Sequence, residues 1–116
     1  MIIKDFEYHI ESETENLIIT DKINGFLLGI FFIPFLQASY KKYDIRISLK
    51  NYPTILLLEE KQVVYEPIYI PIKVDYFNVN NRRYEAPDWW ALNDKLRIEV
   101  EGKDIKLKII LRVKVY

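Results

Sequence analysis

Leu96-Arg97-Ile98-Glu99-Val100-Glu101-Gly102-Lys103-Asp104-Ile105-Lys106-Leu107-Lys108-Ile109-Ile110-Leu111-Arg112-Val113-Lys114-Val115-Tyr116 decides the fold class. Leu96, Ile98 and Val100 alternate with Arg97, Glu99 and Glu101. Ile105, Leu107, Ile109, Leu111, Val113 and Val115 then alternate with Lys106, Lys108, Ile110, Arg112 and Lys114. Successive strand side chains point to opposite faces, so a period of two marks strands with one buried and one wet face. Gly102-Lys103 is a Gly-X pair suited to a two-residue type II′ turn. It predicts a hairpin of residues 96–101 and 104–116, with Val100 opposite Ile105, Ile98 opposite Leu107 and Glu99 opposite Lys106. The basic residues of the last strand then find partners in Glu99 and Glu101. Ile110 is the anomaly on that basic face and suggests that its middle is partly covered.

The same periodicity extends upstream. Phe6, Tyr8 and Ile10 alternate with Asp5, Glu7, His9 and Glu11. Ile45, Ile47 and Leu49 alternate with Asp44, Arg46, Ser48 and Lys50 and stop at a turn, Asn51-Tyr52-Pro53. Residues 16–23 read as another strand, residues 11–15 as an acidic turn or loop, and Asn24-Gly25 as a hairpin turn. Residues 54–58 form a short apolar run, and residues 59–62 a polar connection. A long extended stretch then places Ile68, Ile70, Ile72, Val74 and Tyr76 on one face, with Pro67 and Pro71 on the other parity. Proline lacks an N–H, so both missing donors fall on one side, which predicts an edge strand.

Residues 23–40 carry no charge, and residues 25–36 carry no polar side chain. A membrane helix needs roughly 20 predominantly apolar residues. Asn24, Pro34, Gln37 and Ser39 leave about 12 here, so the reading is a strand buried on both faces that ends near Pro34. A helix, or a surface covered in an oligomer, is the alternative. The chain is not expected to be an integral membrane protein.

Composition agrees with a β protein. The 116 residues include 18 isoleucines and 9 tyrosines but 3 alanines, and β-branched and aromatic residues suit a pleated, half-buried surface. The predicted fold is all-β, one domain over residues 1–116. It is an antiparallel β-sandwich or flattened barrel of about seven or eight strands, mostly hairpin-connected, with at most one short helical turn near 87–92. The bias toward Ile, Lys, Tyr and Asn fits an AT-rich genome, and many charges without cysteine suit a thermophile or one of its viruses. Acidic residues follow Met1 closely, so no secretory signal is expected. The expected location is intracellular or within a virus particle.

Seventeen basic and 17 acidic residues give no net charge, so no global field draws the chain to nucleic acid or an anionic membrane. The absence of cysteine excludes thiol catalysis, disulfides and thiolate metal sites. A single histidine excludes a multi-histidine site, and no cofactor is expected. His9 reads as a solvated surface residue between Glu7 and Glu11. No nucleophile elbow surrounds Ser12, Ser39 or Ser48, and no glycine-rich phosphate loop is present. Glu11, Glu13 and Glu15 lack calcium-loop spacing.

The segment of residues 78–95 is long for a connection in a small β domain and contains Arg82, Arg83, Tyr84, Trp89 and Trp90. Arginine beside aromatic residues serves base stacking with phosphate contact, and it equally makes a protein–protein hot spot. The third reading is a tryptophan capping the core while the arginines pair with Glu85 and Asp88. The expected function is a non-enzymatic interaction or structural protein that binds a protein partner or itself through these five residues. The alternative is a module for single-stranded nucleic acid or a glycan.

Overall fold

The structure, a computed structural model, describes residues 2–11, 16–36, 40–72, 74–77, 83–86 and 90–115. Its strands are β1 (Ile2–Glu11), β2 (Leu17–Ile19), β3 (Ile23–Pro34), β4 (Lys42–Leu49), β5 (Leu56–Val64) and β6 (Ile68–Pro71). They continue as β7 (Val74–Phe77), β8 (Arg83–Ala86), β9 (Trp90–Asp94), β10 (Leu96–Glu101) and β11 (Lys106–Val115). Two antiparallel sheets pack face to face, so the fold is a sandwich. One sheet runs β1-β11-β3-β6, with β9 also pairing β3, and is called sheet A here. The other, sheet B, runs β2-β10-β4-β5. β7 and β8 form a separate two-stranded ladder. Nine strands in the sandwich plus this ladder exceed the seven or eight expected.

The alternating residues are strands, as the pattern predicts, but the C-terminal hairpin does not form. β10 pairs with β2 and β4 in sheet B, and β11 pairs with β1 and β3 in sheet A. Gly102 to Ile105 therefore cross between the sheets. The apolar faces of β10 and β11 look at each other across the core instead of lying side by side. Leu107, Ile109, Leu111 and Val113 are fully buried, and so are Leu96, Ile98 and Val100 opposite them. An apolar residue meets apolar residues in either arrangement, so alternation cannot choose between them. The crossing itself is closely packed. A Cβ on Gly102 would lie 2.7 Å from Ile105 Cγ1 and 3.2 Å from Tyr43 Cβ, and Asp104 takes a left-handed φ of 56°. The crossing is tied to sheet B by Tyr65, whose hydroxyl donates to the Lys106 carbonyl (2.6 Å) and accepts from the Lys106 N–H (3.0 Å).

Hairpins are the exception. Among the described strands, only β4–β5 and β7–β8 join sequence neighbours in one ladder. The expectation of mostly hairpin connections is corrected for the reason that defeats the C-terminal one: sequence neighbours here supply opposite walls of the core.

The uncharged run is a strand over Ile23–Pro34, buried at Ile23, Leu27, Ile30 and Phe32 but not on both faces as expected, since Phe26, Leu28, Phe31 and Ile33 are only half-buried. Asn24-Gly25 lies inside it and makes no turn. Gly25 faces Leu92 of β9 and Val115 of β11, and a Cβ there would strike the Lys114 carbonyl oxygen. Glycine serves the close approach of three strands. Leu28 bulges where the register with β11 shifts, and β3 passes there from β6 to β9. No described helix is long and apolar enough to cross a membrane.

The proline reading holds. The Ile72 N–H donates to the Leu28 carbonyl (3.1 Å), so the even-numbered residues of β6 bond to β3 and the odd-numbered ones face outward. The nitrogens of Pro67 and Pro71 thus point to the open side of an edge strand. The extended stretch is nevertheless divided: Ile72 is buried, and residues 74–77 leave sheet A to pair with β8.

Three smaller expectations change. Residues 59–62 belong to the edge strand β5, with Gln62 at φ 55°. Of residues 87–92, expected to hold at most one short helical turn, 87–89 lie outside the described residues and Trp90 begins a strand, Trp90–Asp94, on β3. Of residues 16–23, β2 keeps only Leu17–Ile19. Thr20 ends β2: its N–H donates to the Leu96 carbonyl, and its hydroxyl accepts from the Leu96 N–H, both at 2.9 Å.

Two buried tyrosines separate the contributions of packing and hydrogen bonding. The Tyr43 hydroxyl is buried without a partner, and burial raises its pKa well above the usual phenol range. Tyr65 packs edge-on against it and is bonded to Lys106. Tyr65→Phe should lower stability by about 1–3 kcal/mol, because the Lys106 N–H loses its acceptor. Tyr43→Phe should be neutral or stabilising. Urea denaturation midpoints of the two variants check both.

Candidate functional site

The five residues singled out in the sequence are only partly described. Arg82 and Trp89 lie outside the described residues. Arg83 and Tyr84 are in β8, opposite Phe77 and Tyr76. Trp90 begins β9 opposite Leu27, two residues before the buried Leu92. The backbone thus assigns these residues to two different ladders. Glu13, Glu15, Ser12 and Ser39 also lie outside the described residues, and Ser48 is buried.

The outer face of sheet A is the more developed surface. Residues of one parity line it in cross-strand rows. Asp5, Arg112, Gly29 and Pro71 form one row, and Glu7, Ile110, Phe31 and Tyr69 form the next. The face is therefore graded: acidic on β1, basic on β11 and aromatic on β3 and β6. Each grade is engaged with its neighbour. The Arg112 Nε and one terminal nitrogen donate to the two Asp5 carboxylate oxygens, each at 3.0 Å, in a bidentate pair. The same guanidinium lies 4.9 Å from the Phe31 ring centroid. Phe31 packs against Tyr69 with centroids 4.5 Å apart. Gly29 leaves room for the Tyr69 ring, which a Cβ would strike. Lys108 Nζ lies 3.1 Å from Glu7 Oε1.

This arrangement corrects the partners expected for the last strand. Glu99 and Glu101 are in the other sheet. The cations of β11 are answered by β1, whose register sets Asp5 against Arg112, Glu7 against Ile110 and Glu11 against Lys106. Ile110 is half-buried between Glu7 and Phe31, so the middle of the face is partly covered, as its position suggested. Its cross-strand neighbour Phe31 on β3 is the aromatic residue beside it. His9 is exposed beside Glu7 (3.5 Å) and packs on Phe35 at 5.5 Å.

At one end the face becomes openly apolar. Phe35 is 50% exposed and Leu36 81% exposed, just past the end of β3. The one available signal for this surface was Ile110. Phe31, Phe35 and Tyr69 gave none, because their strands reach it only through tertiary pairing.

The outer face of sheet B holds an open groove of about 330 Å³ lined by residues that include Asp44, Arg46, Glu59 and Glu101. Arg46 lies 3.8 Å from Glu59, and Arg97 lies 2.6 Å from Glu99. Among the described residues no group of three or more His, Cys, Asp or Glu side chains could hold a metal ion.

Comparison of the chain with family models, with curated proteins and with solved structures finds no match in any of the three.

The hydrogen bonds from Arg112 hold the Asp5 carboxyl below the usual carboxylate range, and those from Lys108 do the same for Glu7. A carboxyl whose pKa is lower folded than unfolded stabilises the protein above its unfolded pKa, about 4, and loses that contribution as pH falls through the folded value. Asp5→Asn should therefore be less stable than the unsubstituted chain at pH 7, with a smaller difference at about pH 3. Urea midpoints at the two pH values check this.

Proposed function

We propose that this chain is a non-enzymatic interaction protein, a structural or accessory component that acts by binding another protein surface. The observation that carries the reading is the outer face of sheet A. Phe31, Ile33, Phe35, Leu36, Tyr69 and Ile110 make an apolar and aromatic band beside Arg112 and Lys108. Aromatic residues and arginine are enriched in protein interfaces, and contiguous exposed apolar surface is uncommon on a monomer without a binding role. Arg82, Arg83, Tyr84, Trp89 and Trp90 add a second group of the same composition, and their assignment as contact residues is part of the proposal. The sequence bias toward a viral or thermophile source and toward oligomerisation is consistent with such a component.

The alternative, a module for single-stranded nucleic acid or a glycan, draws less support. Phosphate binding rests on cations that release counterions. On the outer face of sheet A, Arg112 is taken up by Asp5 and Lys108 by Glu7.

Leu36→Ser should leave the melting temperature within a few degrees, as expected of an exposed substitution, and should weaken partner co-purification from the native source. Oligonucleotides should not quench tryptophan fluorescence. Quenching that collapses as salt rises would transfer the assignment to nucleic acid.

A further inference from the structure

The two sheets have four flanks, and three of them are closed to further pairing. β6 turns Pro67 and Pro71 outward, and β9 beside it is five residues long. β2 is three residues long. β5 has a left-handed residue, Gln62, and two register irregularities with β4. Prolines, bulges and short strands are the devices that keep sheet edges from pairing with another chain. β1 has none of them. It is ten residues long, contains no proline or glycine, and matches β11 residue for residue from Ile2 to Glu11 without a shift. Among the described strands, none pairs its other side.

The ladder fixes which groups that side offers. The Phe35 N–H donates to the Lys106 carbonyl (3.2 Å), so even-numbered residues of β11 bond to β3 and odd-numbered ones to β1. In the β1 register, even-numbered residues of β1 bond to β11. Ile3, Asp5, Glu7 and His9 therefore direct their N–H and C=O groups to the open edge.

We propose that a second copy of this chain adds its own β1 to this edge, antiparallel, about a twofold axis passing Glu7, so that sheet A continues through a dimer. A twofold contact sets the same patch against itself, and β1 is self-complementary in this register. Asp5 meets His9 and Glu7 meets Glu7, each a hydrogen-bonded pair. On the inner face Phe6 meets Tyr8. The Asp5–His9 pair occurs twice, placing an acceptor opposite a donor. The two Glu7 carboxylates are each held by their own Lys108. The two adjacent registers are poorer: an axis at Phe6 sets Asp5 against Glu7 twice, and an axis at Tyr8 sets Asp5 against Glu11 twice. Ile3, 62% exposed, lies at the start of this edge, where the added strand shields it. This dimer needs no contact at Phe35 or Leu36, so it stands apart from the partner surface proposed above.

Light scattering on a gel-filtration peak of the full chain should give twice the 14.0 kDa chain mass. A monomer at all concentrations overturns the proposal. Glu7→Pro removes the central open-edge donor without touching the backbone hydrogen bonds to β11, and should halve the mass while the circular dichroism stays that of a β protein. A folded Glu7→Pro dimer overturns it. Because the chain has no cysteine, Glu7→Cys offers a second measurement that is independent of the proline. Hydrogen-bonded antiparallel partners sit about 5.5 Å apart at Cα, within disulfide range. Mild oxidation should link Glu7→Cys into a covalent dimer far faster than Glu60→Cys on the β5 edge, and equal rates overturn the register. Leu36→Ser should keep the dimer mass, which separates failure here from failure of the partner surface.

Discussion

Everything in this sandwich depends on the chain crossing between sheets at Gly102 to Ile105. The crossing sends two adjacent amphipathic strands to opposite walls, so that β10 and β11 cover each other's apolar faces. A buried aliphatic side chain contributes roughly 1.5–3 kcal/mol relative to an exposed one. Strands β10 and β11 together bury seven such side chains between Leu96 and Val113. A hairpin would have put those residues on one face of one sheet and left the burial to other strands. The bend itself is tight: Ile105 is buried within it, Gly102 leaves room for Ile105 and Tyr43, and Tyr65 closes the strand start with two hydrogen bonds.

Once β11 is displaced into sheet A, its basic face needs new partners, and β1 supplies them. The pairing of an acidic strand with a basic one sets the register at Asp5–Arg112 and explains why neither row is strongly charged on its own. It also brings the Arg112 guanidinium onto Phe31, joining the charged and aromatic halves of the outer face. The proposed interaction surface is thus a by-product of sheet order. Neither β1 nor β3 is near β11 in sequence.

The edges of the two sheets follow a different logic. Pro67 and Pro71 close one edge of sheet A by removing donors, and Gln62 and the irregular register close one edge of sheet B. The prolines are local devices, legible one residue at a time; the left-handed Gln62 and the irregular register of β5 appear only in the structure. The open edge at β1 is legible only by contrast, once the other three flanks are known.

Local chemistry was therefore readable in the sequence and long-range partnership was not. Period-two alternation identified β1, β4, β10 and β11, because the pleat itself imposes the period. The prolines identified an edge strand, because a missing N–H has one direction in a ladder. The twelve-residue limit of the apolar run argued against a membrane helix, because hydrocarbon thickness sets a length. Sheet assignment had no such signal. Gly102-Lys103 and Asn24-Gly25 suit hairpin turns, yet one sits in a crossing and the other inside a strand, because glycine also serves wherever backbones approach closely. Polar residues 59–62 read as a connection because an edge strand exposed to solvent needs no apolar face. The aromatic face escaped notice because Phe31, Tyr69 and Ile110 are far apart along the chain and adjacent only across three paired strands. Alternation states that a residue is covered; only the tertiary structure decides by what.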